Sequence, residues 1–285
     1  MSGILYLCAT PIGNLGDVSK RFLETLESVD LIACEDTRVT LKLLNHFGIK
    51  KQLTSYHEHN KYEKGEYIIS LLKEGKNVAL VSDAGTPAIS DPGEDLVRLC
   101  IENDLQITSI PGSVAAINAL ILSGLSTKRF SFEGFLSVNK RHRKEHLKSL
   151  ENDTHTMIFY EAPHKLTYTL SDMAEVFGEF RKIALVRELT KLHEEVLRLT
   201  IKDAIELFET QKPRGEYVII VEGKNKEDII PETQWWEELS VFEHVDEYIK
   251  KGMNSKDAIK QCAADRELPK REVYNEYHNK ENKYE

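Results

Sequence analysis

The chain has 285 residues, of which 41% are hydrophobic and 30% charged, and its formal net charge is −9. This is a folded, globular composition, too long for one minimal core and suited to two domains with a small appendage. No apolar run approaches the ~20 residues of a membrane span, and the acidity argues against indiscriminate nucleic-acid binding while leaving room for a local basic patch.

The amino terminus has no basic stretch followed by a hydrophobic core, so the expected location is cytoplasmic, with no membrane partner. Cys8, Cys34, Cys100 and Cys262 are far apart, mostly inside apolar runs. Without a CxxC or mixed Cys/His spacing they read as reduced packing residues, and no metal site is expected.

The first half alternates strands and helices. Residues 4–9 read as a strand ending in the turn-rich stretch 10–17, and a helix with Phe22, Leu26 and Val29 on its apolar side follows. Residues 30–34 are a second strand, ending in Glu35-Asp36-Thr37-Arg38. The next helix, with Leu41, Leu44 and Phe47, stops at Gly48, a good C-terminal cap. A short strand over 53–56 leads into the polar run His57-Glu58-His59-Asn60 and a helix carrying Tyr67, Ile68, Leu71 and Leu72.

Residues 77–81 read as a buried strand, and the loop Ser82-Asp83-Ala84-Gly85-Thr86-Pro87-Ala88-Ile89-Ser90-Asp91-Pro92-Gly93 follows it. Its glycines let a ligand approach the backbone, its prolines stiffen it, and its hydroxyls and carboxylates offer polar contacts. Loops at the carboxyl ends of parallel strands bind ligands in α/β folds, although an ordinary polar turn has the same composition. Acidic Glu94 and Asp95 open the helix beyond. A strand over 106–110 then ends at Pro111-Gly112-Ser113, ahead of the apolar helix 114–122. Repeated β-α units of this length imply a mostly parallel sheet. Neither GxGxxG nor GxxxxGK[ST] occurs, which argues against a nicotinamide cofactor or a nucleoside triphosphate.

Near Gly124 the pattern changes. Residues 130–136 alternate like a half-exposed strand, and Lys140-Arg141-His142-Arg143-Lys144, read as a loop, is the most basic cluster of the chain. Strands over 156–160, 183–186, 194–200 and 215–221, with intervening helices, describe a second α/β domain with more antiparallel character. Residues 224–228 read as a linker. Beyond it, Trp235, Leu239, Phe242 and Val245 fall at helical spacing, Ser255 reads as an N-cap, and Leu268-Pro269-Lys270-Arg271 opens one more helix. The expected architecture is therefore α/β: an N-terminal domain over 1–123 with a mostly parallel sheet, a second domain over 124–223 with a mixed sheet, and a linker with a helical region over 224–285.

Taken together, Ala9-Thr10-Pro11-Ile12-Gly13-Asn14-Leu15-Gly16-Asp17, Glu35-Asp36-Thr37-Arg38, residues 82–93, Pro111-Gly112-Ser113, Phe159-Tyr160-Glu161-Ala162-Pro163-His164, Arg187-Glu188-Leu189-Thr190-Lys191 and Gly215-Glu216-Tyr217 resemble the tetrapyrrole-methylase superfamily. More closely, they resemble its branch that methylates a cytidine ribose 2′-oxygen in 16S ribosomal RNA. The resemblance runs in order over residues 4–222. One departure is Ser137, where the family usually has proline after Gly-Phe-Leu.

The resemblance implies that S-adenosylmethionine lies in a cleft between the two α/β domains. It implies contacts at Pro11, Ala84, Gly85, Thr86, Ile89, Val114 and Ala115, and from the second domain at Tyr160 or Glu161 and Leu189. Methyl transfer to a ribose hydroxyl also needs a proton acceptor. Asp36, Asp83, Glu188 and Lys191 are all candidates for it, or for a buried ion pair or loop cap. Arg38, His59 and Asn60 are candidates for the RNA side. So are Lys140, Arg141, Arg143 and Lys144, as phosphate contacts or as a solvated basic face. The implied partners are 16S rRNA within the 30S subunit and a second copy of the chain. The competing readings are a methyltransferase acting on a small tetrapyrrole-type molecule and a non-catalytic ribosome-assembly binder.

Overall fold

A computed structural model describes residues 2–228 and 234–281. Residues 229–233 and 282–285 of the expected C-terminal region lie outside the described residues. Residues 1–226 form one compact unit and residues 227–285 another.

The first sheet is built from β1 (Ile4–Cys8), β2 (Leu31–Cys34), β3 (Leu53–Ser55), β4 (Val78–Val81) and β5 (Gln106–Ile110), in the order β3-β2-β4-β1-β5. Every pairing in it is parallel. The crossovers are α1 (Lys20–Ser28), α2 (Thr37–His46), α3 (Lys61–Lys73) and α4 (Gly93–Glu102). Both faces are covered, so β2 and β4 are buried along their whole length, as continuous apolar strands require. One side packs Leu5, Leu72, Leu96 and Cys100, and the other packs Phe22, Leu26, Leu44 and Cys34. Burial raises the Cys8 thiol to about 12 and the Cys100 thiol to about 11, so both are inert packing groups at neutral pH.

From β5 the chain enters α5 (Ala115–Ser123), which leaves the first sheet and lies on the second. That sheet contains β6 (Phe130–Phe135), then, after α6 (Lys140–Ser149), β7 (Thr156–Glu161). After α7 (Leu166–Phe177) come β8 (Lys182–Arg187), β9 (Glu195–Thr200), α8 (Ile201–Thr210) and β10 (Tyr217–Val221). Its order is β6-β7-β10-β8-β9; β6 and β7 are parallel and the other pairs antiparallel. Ala116, Ala119 and Leu120 of α5 cover Ile158, Val186 and Ile220, and α6, α7 and α8 cover the opposite face through Leu147, Leu170 and Ala204.

The basic run 140–144 is not a loop but the first half of α6. Asn139 caps it, accepting the N–H groups of Arg141 (2.9 Å) and His142 (3.3 Å), which offsets the cost of cations at a helix amino end. Ser137 fits the preceding turn, because its Oγ accepts the Asn139 N–H (3.2 Å) and its carbonyl accepts from Arg143 (3.1 Å).

The second unit holds α9 (Val241–Lys250), α10 (Ser255–Asp265) and α11 (Lys270–Glu281) around Val241, Val245, Ile259, Cys262 and Tyr277. Helical spacing overreached here: Trp235 and Leu239 precede the helix, which starts only after Ser240 and its reciprocal capping pair with Glu243. The cap of α10 is Asn254, one residue before the serine expected in that role. No helix among the described residues is long and apolar enough to cross a membrane.

Candidate functional site

The loops at the carboxyl ends of the first sheet are tied to one another. Thr10, after β1, exchanges backbone hydrogen bonds with Gly85, after β4 (2.9 and 3.2 Å), and its hydroxyl donates to the Ser82 carbonyl (3.1 Å). Asp36, after β2, donates its N–H to Asp83 Oδ1 (3.0 Å), and the Thr86 hydroxyl donates to the Ser113 carbonyl after β5 (3.1 Å). Asp91 holds the far end of the β4 loop by accepting the N–H groups of Ala88 and Gly93, both at 2.8 Å. Gly93 is required there, since a Cβ would lie 2.7 Å from Asp91 Oδ1 and 2.8 Å from the Ala88 nitrogen.

The second sheet contributes the opposing wall. The Tyr160 hydroxyl, at the end of β7, accepts the N–H of Ala116 in the first turn of α5 (3.1 Å). Between β8 and β9, Lys191 Nζ lies 3.1 Å from Glu188 Oε1, and the Thr190 N–H donates to Glu194 (2.7 Å). Four of the six non-glycine residues with left-handed backbone among the described residues are Ala88, Ser90, Glu188 and Thr190. They sit in the two facing loops, where surrounding hydrogen bonds hold a conformation that costs energy in isolation.

These loops enclose a cavity of about 440 Å³. Of the residues expected to contact the cofactor, Ala84, Gly85, Thr86, Ile89, Val114 and Ala115 line it from the first domain, and Tyr160, Glu161 and Leu189 from the second. Pro11 does not; its neighbour Ile12 does. The Glu161 carboxylate is engaged by the Thr169 hydroxyl (2.6 Å) and the Ala162 N–H (2.9 Å), so it fixes the wall.

Asp83, Glu188 and Lys191 also line the cavity, but Asp36 does not. Asp36 caps α2 and is gripped by Arg38 through Nε and Nη2 (3.0 and 2.6 Å), hydrogen bonds that hold its carboxyl down at about 2. The RNA-side expectations fall outside the cavity lining. Arg38 is spent on Asp36, and Asn60 ties the turn before α3 by accepting the His57 N–H (2.8 Å) and donating to Ser55. His59 stands beside His57, ring centroids 6.0 Å apart. Lys140 and Arg141 are exposed on α6, and Lys144 pairs with Glu175 and Asp172. Arg143 turns inward onto Asp172 (2.7 Å), with 12% and 5% of the two side chains exposed. It therefore does not belong to the basic surface on which the sequence counted it.

Several lining residues were missed, Glu35 and Phe135 among them. Glu35 stands on the cavity with its carboxyl pushed up, first by burial and then by Asp83 and Asp91. Its signal was the acidic pair at the end of β2, but nothing in the sequence says which acid turns inward. Phe135 is another, and its position depends on a bulge at Glu133. Among the described residues, no cluster of three or more His, Cys, Asp or Glu side chains is arranged to hold a metal ion.

Residues 5–205 match the family model described as Tetrapyrrole (Corrin/Porphyrin) Methylases. The chain is 52% identical over 279 residues to ribosomal RNA small subunit methyltransferase I of Bacillus subtilis (strain 168), covering 98% of this chain and 95% of the relative. The protein of the same name from Escherichia coli O157:H7 is 47% identical, covering 80% and 81%. Among solved structures, diphthine synthase aligns with a TM-score of 0.60 at 14% identity, covering 78% of this chain and 91% of that one. A uroporphyrin-III-C-methyltransferase from Thermus thermophilus aligns with a TM-score of 0.55 at 18% identity, covering 76% and 94%. At these identities the two structures speak for the fold alone.

Proposed function

Because this chain is a methyltransferase of the tetrapyrrole methylase family, in its ribosomal RNA small subunit methyltransferase I branch, we propose that it uses S-adenosylmethionine to methylate the ribose 2′-oxygen of a cytidine in the decoding region of 16S rRNA. In this reading it acts in the cytoplasm on the 30S subunit, as a homodimer. The observation that carries the reading is the shared cavity, where backbone, small apolar groups and Asp83 from the first sheet's loops meet Glu188 and Lys191 from the second sheet.

The residues present fit such a cofactor. The volume lies in the ~300–1,000 Å³ range of ligand sites. Gly85, at φ +83, carries no Cβ that would bar a ligand from the backbone. Val114, Ala115, Ile89 and Leu189 supply the apolar surface an adenosyl group needs, with Tyr160 and Glu161 fixing the wall. Bound there, S-adenosylmethionine supplies a methyl carbon carried on a sulfonium.

The accepting hydroxyl must lose its proton as its oxygen bonds the methyl carbon. We assign that proton to Asp83. The Asp36 N–H fixes Oδ1, and Oδ2 has no hydrogen-bond partner among the described residues. Asp36 itself is too weak a base, held at about 2 by Arg38. Glu188 and Lys191 neutralise each other and serve to position the acceptor. Holding donor and acceptor in line supplies several kcal/mol of the barrier reduction, and a positioned base roughly 10²- to 10⁴-fold in rate.

The test incubates 30S subunits from cells lacking this gene with purified protein and methyl-labelled S-adenosylmethionine, then maps the label by nuclease digestion and mass spectrometry. A 2′-O-methylcytidine in 16S rRNA is the expected result. Cofactor binding without transfer to 30S or naked RNA would overturn the reading and direct attention to small-molecule acceptors.

A further inference from the structure

We propose that Phe132, Phe135 and Tyr160 form a stacking platform for an unpaired nucleobase of the acceptor RNA at the mouth of the cavity. The inference rests on the RNA-methylating reading above and adds to it the residues that take the base.

The platform is made by a break in strand register. Phe132 lies opposite Ile158, but Gly134 opposes Phe159 and Phe135 opposes Tyr160, so Glu133 is the extra residue of a bulge. Without the bulge, Phe132 and Phe135 would point to opposite faces of the sheet. With it, both share the face of Ile158 and Tyr160, the face that α5 covers further along. Gly134 makes the turn at φ +65, and a Cβ on it would stand 3.6 Å from Ser90 Oγ of the opposing loop.

The rings are arranged to receive a further ring. Both phenylalanines meet Tyr160 edge-on, with centroids 5.1 and 5.4 Å away. Tyr160 is anchored through its hydroxyl to Ala116, so the group is rigid. Phe135 is 59% exposed and Phe132 37%, yet Phe135 and Tyr160 also line the cavity. An exposed aromatic face that borders a cavity carrying Asp83, Glu188 and Lys191 suits a flat, polar-edged ring. Charge complementarity favours a nucleic acid over an apolar partner, because five residues beyond Phe135 the chain enters α6 with Lys140 and Arg141 exposed. A base held at the mouth would bring its own ribose to the cavity, as enzymes acting on extruded nucleotides require.

The test uses Phe135→Ala, Phe135→Leu, Phe135→Tyr and Phe135→Trp in the full chain. Phe135→Ala is expected to raise KM for 30S subunits on the order of 10-fold, the worth of one stacked base, with affinity for S-adenosylmethionine and the oligomeric state unchanged. Tyrosine and tryptophan restore KM, whereas leucine, of similar bulk but without a π face, does not. Fluorescence of Phe135→Trp, measured against wild type with only Trp235 and Trp236, is quenched on adding a short unpaired cytidine-containing RNA. Wild-type behaviour of Phe135→Leu, weakened cofactor binding in Phe135→Ala, or a change in its oligomeric state would each overturn the platform. Should wild type transfer no methyl to 30S, the rRNA reading falls by itself. The RNA titration then decides the platform alone: quenching supports it, and no quenching overturns it.

Discussion

Asp83 Oδ1 accepts the backbone N–H of Asp36 at 3.0 Å, so the carboxylate after β4 is fixed by the loop after β2. Asparagine keeps that acceptor but removes the basic oxygen. Asp83→Asn is therefore expected to lower kcat by roughly 10²- to 10⁴-fold with cofactor affinity preserved. Asp83→Ala loses the hydrogen bond as well and should also loosen the loop. Single-turnover methyl transfer alongside calorimetric cofactor titration separates the two. Undiminished turnover in Asp83→Asn would move the proton acceptor to another lining group, with Glu35 the first to examine.

The two walls of the cavity touch at Gly13. A Cβ there would come within 2.5 Å of Lys191 Cγ and 3.0 Å of the Leu189 carbonyl. Gly13→Ala must push the β1 loop and the β8–β9 loop apart, an overpacking cost of about 1–3 kcal/mol. Cofactor affinity is expected to fall by about the same free energy, since both loops line the site. Adding Lys191→Ala removes one of the three obstacles, Thr190 Oγ1 at 3.0 Å being the third, and should recover part of the binding. If affinity in Gly13→Ala equals wild type, the walls are not held at this point.

The alternation of apolar strands with helices, and the turn residues that end each strand, made the parallel sheet and the loops that enclose the cavity legible. β2 and β4 are buried on both faces, so their sequences are almost wholly apolar and leave no competing reading. Side-chain direction was not legible. Glu35 and Asp36 are adjacent acids, and only the cap of α2 decides that Asp36 turns away to Arg38. Phe135 faces the cavity because of a bulge, which strand alternation alone does not reveal. Arg143 is one of five basic residues in a row, and Asp172, 29 positions away, draws it inward.

That last pair separates two kinds of cation on α6. Asp172→Ala strands the Arg143 guanidinium in a nearly closed site, and breaking a buried pair from one side costs about 3–5 kcal/mol. Chemical denaturation should show a large loss of stability for it. Lys140→Ala with Arg141→Ala should leave the denaturation midpoint almost unchanged, as both side chains are exposed. The double variant should bind 30S subunits more weakly, with the salt dependence of log K reduced by about 0.7–0.9 for each phosphate that is no longer neutralised. Unchanged salt dependence would remove α6 from the RNA-binding surface.

The Asp36 carboxyl ties acid stability to the β2 loop. It is lowered from 3.8 to about 2, first by the hydrogen bonds from the Arg38 side chain and then by the Arg38 N–H. A carboxyl lowered on folding binds its proton more readily in the unfolded chain, so stability rises with pH through the interval between the two values. Its contribution is complete above about pH 4 and gone below about pH 2. Asp36→Asn retains an acceptor for the capping N–H but loses the charge. Wild type should therefore exceed the variant in urea midpoint at pH 6, and the difference should close as the pH falls from 4 towards 2. The pair is solvent-facing, with 86% of the Arg38 side chain exposed, so added salt should narrow the gap at pH 6. A gap that stays constant from pH 6 to pH 2 would overturn the assignment of this stabilisation to the charge of Asp36.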